Sequence, residues 1–230
     1  MKEYNIVGVT CSNMRGWGRQ ALKGRWATAV LGSLLFSALI SLPLLSFKFI
    51  FHSDTLERVS NLYTFIISGP LNLGYIAFII SIFRRKNTSP IEIFYGFERF
   101  LKAFALMAVM NVLIFLWSLL LIVPGIIASF RYSMAFYIFA DNPEMGIMEI
   151  IGESKRMMQG NKLKLFLLQL SFLGWAVLVV LTLGIGYFWL MPYIVASTVG
   201  FYEVANGNLR PYYPNLTGQE DEDENTLYIP

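Results

Sequence analysis

Histidine and cysteine are almost missing from this chain: its 230 residues hold one of each, His52 and Cys11. A single cysteine excludes an internal disulfide. A single histidine leaves no HExxH zinc motif and no cysteine–histidine pair, and no GxxxxGK phosphate loop is present. His52 stands near Asp54 and Glu57 in what reads as an outer loop. Solvated side chains explain that group more simply than a metal site, so neither metal nor cofactor is expected.

Charge is scarce too. Charged residues make up only 14% of the chain, against about 25% in soluble domains, while 56% are hydrophobic. A water-soluble fold of this length has too little interior to hide so much apolar surface, so the implied solvent is lipid. The basic residues sit beside apolar runs rather than on a polar face, which argues against nucleic acid as a partner.

What the chain does have is long apolar runs. A membrane span needs about 20 mostly apolar residues. Six stretches fit: 27–49, 62–83, 103–123, 125–140, 165–183 and 185–202. As one helix, the run from Phe100 to Ala140 would measure about 60 Å, twice the hydrocarbon thickness. It must break, and Pro124-Gly125 in "IVPGI" is the expected place. "LTLGIGYF" supplies the next break. The expected fold is all-α: a six-span transmembrane bundle built from three helical hairpins.

Basic residues set its orientation. Lys2, Arg15, Arg19, Lys23 and Arg25 precede the first span. Arg84, Arg85, Lys86, Arg99 and Lys102 lie between the second and third, and Lys155, Arg156, Lys162 and Lys164 between the fourth and fifth. The opposite side has only Lys48 and Arg58. This asymmetry places both termini in the cytoplasm. Residues 1–26 then form a basic amphipathic segment and 27–204 the membrane domain. Residues 205–230 form a polar tail with the acidic run Glu220 to Glu224, too poor in apolar groups to order itself.

Two inner loops carry helix signals. Ser89, Pro90 and Glu92 form a capping-box pattern opening a helix over 89–102, and Asn142 and Pro143 open another over 143–160. Apolar residues on one face and basic residues near the other describe helices lying in the membrane interface. Arg15, Arg19, Lys23, Arg25, Arg84, Arg85 and Lys86 are the expected contacts for anionic lipid.

Arg131, inside "IIASFRYSMAFYIF", is the most exceptional residue. It lies six residues from the expected turn, about 9 Å of helix rise. A charge in a span costs at least about 2.5 kcal/mol on insertion scales, which marks it as a candidate anion or lipid anchor. Its stem is also long enough to carry the charge to the interface. Trp117 is placed at similar depth, within reach of a cation–π contact. Ala29, Ser33, Ser37 and Ser41 recur every four residues as a helix-packing stripe, and Ala196 and Gly200 form a shorter one. Glu149 and Glu153, adjacent on one helical face, read as solvent-exposed rather than catalytic.

"LKGRW", "GPLNLG", "FADNPEMG", "MMQGNKLKLF", "LSFLGW" and "LTLGIGYFWLMPY" together resemble the bacterial membrane proteins catalogued as domain of unknown function 975. The chain is also distantly similar to the membrane domain attached to some glycerophosphodiester phosphodiesterases, without their catalytic barrel. The first resemblance implies an integral membrane protein and carries over no catalytic or binding residue. The resulting expectation is a non-enzymatic, lipid-interacting scaffold or accessory component. Its expected partners are anionic membrane lipids, with a second copy or other membrane proteins as further candidates. The alternative is a small transporter or channel whose polar path includes Arg131.

Overall fold

The computed structural model describes residues 4–51 and 54–209, and among them it is helical throughout, with no β-strand. His52 and the acidic run Glu220 to Glu224 lie outside the described residues. In chain order the helices are α1 (Cys11–Leu22), α2 (Trp26–Phe51) and α3 (Asp54–Phe83). A 3-10 turn (Pro90–Phe94) and the short α4 (Tyr95–Glu98) lead into α5 (Phe100–Leu120). There follow α6 (Ile122–Tyr132), α7 (Ala135–Asp141), α8 (Ile147–Met157), α9 (Lys162–Leu170), α10 (Leu173–Leu181) and α11 (Tyr187–Ala205).

Four described stretches are long and apolar enough to cross a membrane: Val59–Phe83, Phe100–Leu120, Ile122–Asp141 and Lys162–Leu181. A fifth arises if α1 and Trp26–Ser41, bent by 96° at their junction, are one broken span. The count by length and apolarity is therefore four to five, against the six expected. The missing one is α11, whose Pro192, Ser197, Thr198 and Glu203 dilute its apolar character.

α3 is the centre. Its apolar window is 61% buried, whereas those of α5 and of α9–α10 are 17% buried and present their side chains outward. Tyr75, Phe78, Ile79, Ile82 and Phe83 fill the core between α1, α2, α7 and α11. α10 buries no residue at all. That uneven burial suits helices whose outer faces meet lipid.

The break after α5 falls at Leu121, not at Pro124-Gly125 as expected; Leu121 is extended, at φ −165° and ψ 155°. Pro124 instead sits in the first turn of α6, where a missing N–H costs nothing because that donor would have no helical acceptor. Gly125 serves packing. A Cβ there would lie 2.2 Å from Ser118 Oγ, so only glycine lets α6 close on α5.

The segment expected as one interfacial helix over 89–102 is also different. Ser89 caps as foreseen, accepting from the Ile91 amide at 3.2 Å, but Glu92 takes the Thr88 hydroxyl instead of closing a capping box. The 3-10 turn and α4 pack against the middle of α3 through buried Ile93 and Gly96, while Ile91 and Phe94 stay exposed. A Cβ on Gly74 would sit 1.7 Å from the Ile93 carbonyl oxygen, and one on Gly96 would sit 1.8 Å from that of Pro70. Ten residues separate Gly74 from Arg84, about 15 Å of helix rise. Irregular backbone so far along α3 is tolerated because it is buried in protein. In the second inner loop, Asn142 terminates α7 through its amide and its side chain, both donating to the Ile138 carbonyl. α8 then starts at Ile147 and buries Ile150, Ile151, Ser154 and Met157.

Candidate functional site

The densest polar cluster joins the ends of α3, α7 and α11. The Arg84 guanidinium, just past α3, donates from Nη1 and Nη2 to both oxygens of Asp141, at 2.7 and 2.6 Å. Its Nε donates to Glu203 Oε1 at 2.7 Å. The Tyr202 hydroxyl donates to Asp141 Oδ2 at 2.9 Å, and Asn208 Nδ2 to Glu203 Oε2 at 2.7 Å. Glu203 is buried and Arg84 largely so. Burial alone would lower the Arg84 guanidinium, but the hydrogen bonds and charges of Asp141 and Glu203 outweigh it and hold the group above its ordinary value. All four carboxylate oxygens accept at least one hydrogen bond, so the cluster is built to hold three helix ends together rather than to move a proton.

A second buried acid lies on α8. Glu153 accepts from the Tyr4 hydroxyl and from Arg156, and it is not the exposed residue the sequence suggests. Burial, with the hydrogen bond and charge of Glu153, pushes the Tyr4 phenol up. Nearby, buried Asn161 accepts from the Val7 amide at 2.8 Å and donates to the Asn5 and Met157 carbonyls. Residues 4–10 are thereby threaded across the α8–α9 corner, with Asn5 also donating to the Ala205 carbonyl at 2.9 Å. Among the described residues no group of three or more metal-ligating side chains could hold an ion.

Five of the remaining basic residues bond to backbone carbonyls. Arg25 donates to the Arg85 and Lys86 carbonyls, and Arg85 donates back to those of Gln20 and Lys23. Arg15 reaches the Ser171 carbonyl at the end of α9. Arg99 and Lys102 both reach the Pro143 carbonyl. Helix C-termini expose carbonyls and carry partial negative charge, which favours cations there.

The family described as "Protein of unknown function (DUF975)" matches residues 9–128 and 118–208. The chain belongs to the DUF975 family. No curated protein and no solved structure matches it. The DUF975 stretch takes in Arg84, Asp141, Glu153, Glu203 and Asn208, so both charged clusters fall within it, apart from Tyr4.

Within this DUF975 chain the singled-out residues fare unevenly. Arg131 is half-buried, and its guanidinium has no hydrogen-bond or ion-pair acceptor among the described residues. The structure does not bring Trp117 to it. The Arg131 backbone carbonyl accepts from Ser154 of α8 at 3.1 Å, and its neighbour Phe130 stacks edge-on with Phe166 of α9. Arg131 thus sits beside α8 and α9, ten residues from the break at Leu121. Ala29 and Ser33 are fully buried, with the Ser33 and Tyr75 hydroxyls 2.8 Å apart, whereas Ser37 and Ser41 are half-buried. Gly32 of α2 packs against α3, where a Cβ would lie 2.3 Å from the Phe78 ring. Ala196 and Gly200 are buried on α11 as a packing face. Sequence reading missed Gly32, Glu153 and Asn161. The three have no shared motif, and each has a partner far along the chain: Phe78 for Gly32, Tyr4 for Glu153, and Asn5 and Val7 for Asn161.

Proposed function

We propose that this DUF975 protein is a non-enzymatic membrane component, a scaffold or accessory subunit, that engages anionic lipid. In this reading it spans a bacterial cell membrane six times, with both termini on the cytoplasmic side. The observation that carries it is a knot of four cations at the α1–α2 turn and the end of α3. Lys23, Arg25, Arg85 and Lys86 are held together by hydrogen bonds to backbone carbonyls, and none pairs with a carboxylate among the described residues. Three of them are exposed. Like charges gathered without internal counterions call for external anions, and a headgroup layer supplies about 1 kcal/mol per basic residue.

Native mass spectrometry of gently extracted protein tests this. The wild type is expected to retain phosphatidylglycerol in preference to phosphatidylcholine, and the Lys23→Gln/Lys86→Gln variant to lose that preference while staying folded. Equal retention by both proteins overturns the reading. Transport along a path including Arg131 is the second reading, favoured by the lack of a protein acceptor for that guanidinium. Arg131-dependent solute uptake into proteoliposomes would carry it.

A further inference from the structure

We infer that a groove between α1, α2, α10 and α11 is a binding site for one anionic phospholipid, with its phosphate on Arg19 and an acyl chain in the groove. The inference rests on the lipid-binding reading above and adds to it a specific site.

The groove encloses about 330 Å³ and is lined by Arg19, Trp26, Trp175, Leu178, Trp189 and Tyr193, among others. Three of the chain's five tryptophans meet there. Tyr193 is its floor: it is buried and touches Trp26, Phe172 and Trp175 edge-on, with ring centroids 6.4, 5.1 and 6.0 Å away. The walls are open. Trp175, Leu178 and Trp189 are each close to half exposed, on helices whose other outward residues are apolar. A cavity of that character, opening sideways from an apolar helix surface, is shaped for a hydrocarbon chain rather than a polar solute.

The two ends differ chemically. At one end Thr182 is satisfied internally: its hydroxyl donates to the Leu178 and Val179 carbonyls and accepts from the Gly186 amide at 3.0 Å. That end presents no unmet polar demand. At the other end stands Arg19. Arg15, Arg25, Arg84 and Arg85 all have protein acceptors, but the Arg19 guanidinium is exposed and has none among the described residues. The 96° bend between α1 and α2 sets Arg19 on a helix lying across the apolar ones, the position of a headgroup contact. Guanidinium matches phosphate oxygens in a planar fork, and Trp residues favour the boundary between chain and headgroup. A single cation at the mouth of an apolar groove complements an amphiphile with an anionic head.

The test uses the full chain in nanodiscs and reads tryptophan quenching by brominated phosphatidylglycerol or brominated phosphatidylcholine, each titrated at low mole fraction. Trp117→Phe removes an exposed reporter outside the groove. Half-quenching is expected at about fivefold lower mole fraction for the anionic lipid, and Arg19→Gln is expected to abolish that difference. The Lys23→Gln/Lys86→Gln variant, which tests the cation knot, should keep it. Equal quenching by both lipids in the wild type overturns the inference, because the groove is then ordinary lipid-facing surface. Absence of quenching by either also overturns it, because a protein segment or a second copy then covers the groove. A preference that survives Arg19→Gln but vanishes in the lysine variant removes this site and leaves the broader reading standing.

Discussion

Gly18 of α1 meets Ser197 of α11 so closely that a Cβ on Gly18 would lie 2.8 Å from the Ser197 amide nitrogen and 2.5 Å from its hydroxyl oxygen. The obstacle includes backbone, which cannot swing aside. The basic N-terminal helix is therefore docked along α11 through a glycine. Two residues earlier, Gly16 has nothing within 4 Å of where its Cβ would be.

The two glycines should respond oppositely to alanine. Gly18→Ala is expected to cost about 1–3 kcal/mol through overpacking of the α1–α11 contact. Gly16→Ala is expected to stabilise by up to about 1 kcal/mol through helix propensity alone. Gly200→Ala provides a control: its Cβ would rest at an ordinary 3.6 Å from Phe83 and Trp17, so it should stabilise as Gly16→Ala does. Thermal unfolding in detergent, followed by circular dichroism, ranks the three variants. Equal effects at Gly16 and Gly18 would count against this docking.

Arg84 should be the most costly cation to remove. Arg84→Met leaves Asp141 and buried Glu203 without their counterion, an expected loss of about 3–5 kcal/mol. Arg84→Lys should recover only part of it, since an ammonium cannot replace the bidentate fork on Asp141 while also reaching Glu203. Denaturant titration of the two variants beside wild type checks the order.

Arg131→Leu should behave in the opposite way. With no protein acceptor to lose, it is expected to leave stability within about 0.5 kcal/mol of wild type or to raise it. A loss as large as that of Arg84→Met would show that Arg131 holds a tightly bound anion in the purified protein.

Tyr4 carries a pH signature. Its phenol is raised in the folded state by burial and by Glu153, so folding favours the neutral form. That contribution is complete below the unfolded value of about 10 and is lost as pH rises beyond it. Tyr4→Phe should lower the neutral plateau by about 1–3 kcal/mol, because buried Glu153 loses a donor, and should flatten the alkaline limb, as judged from melting temperatures between pH 8 and 11.

Helicity could be read from the sequence because it is local: long apolar runs, caps and breakers act over a few residues. Even so, the break beside Pro124 was misplaced to Pro124-Gly125 itself. Proline stops a helix in its interior but is welcome in its first turn, and the two cases share one pattern. Nothing local marks Gly18 apart from Gly16, and only the position of Ser197 shows that Gly18 is a contact.

By itself the sequence determined that this protein is helical and rich in apolar stretches, since composition and short-range pattern suffice for both. Tertiary structure decided the use of each charge. Arg84 and Arg19 read alike as basic residues flanking apolar runs. Arg84 is spent on Glu203, 119 residues away, while Arg19 lines a groove with no protein acceptor among the described residues. Pairing depends on which helix ends converge in space, and separations of that size leave no trace in local composition.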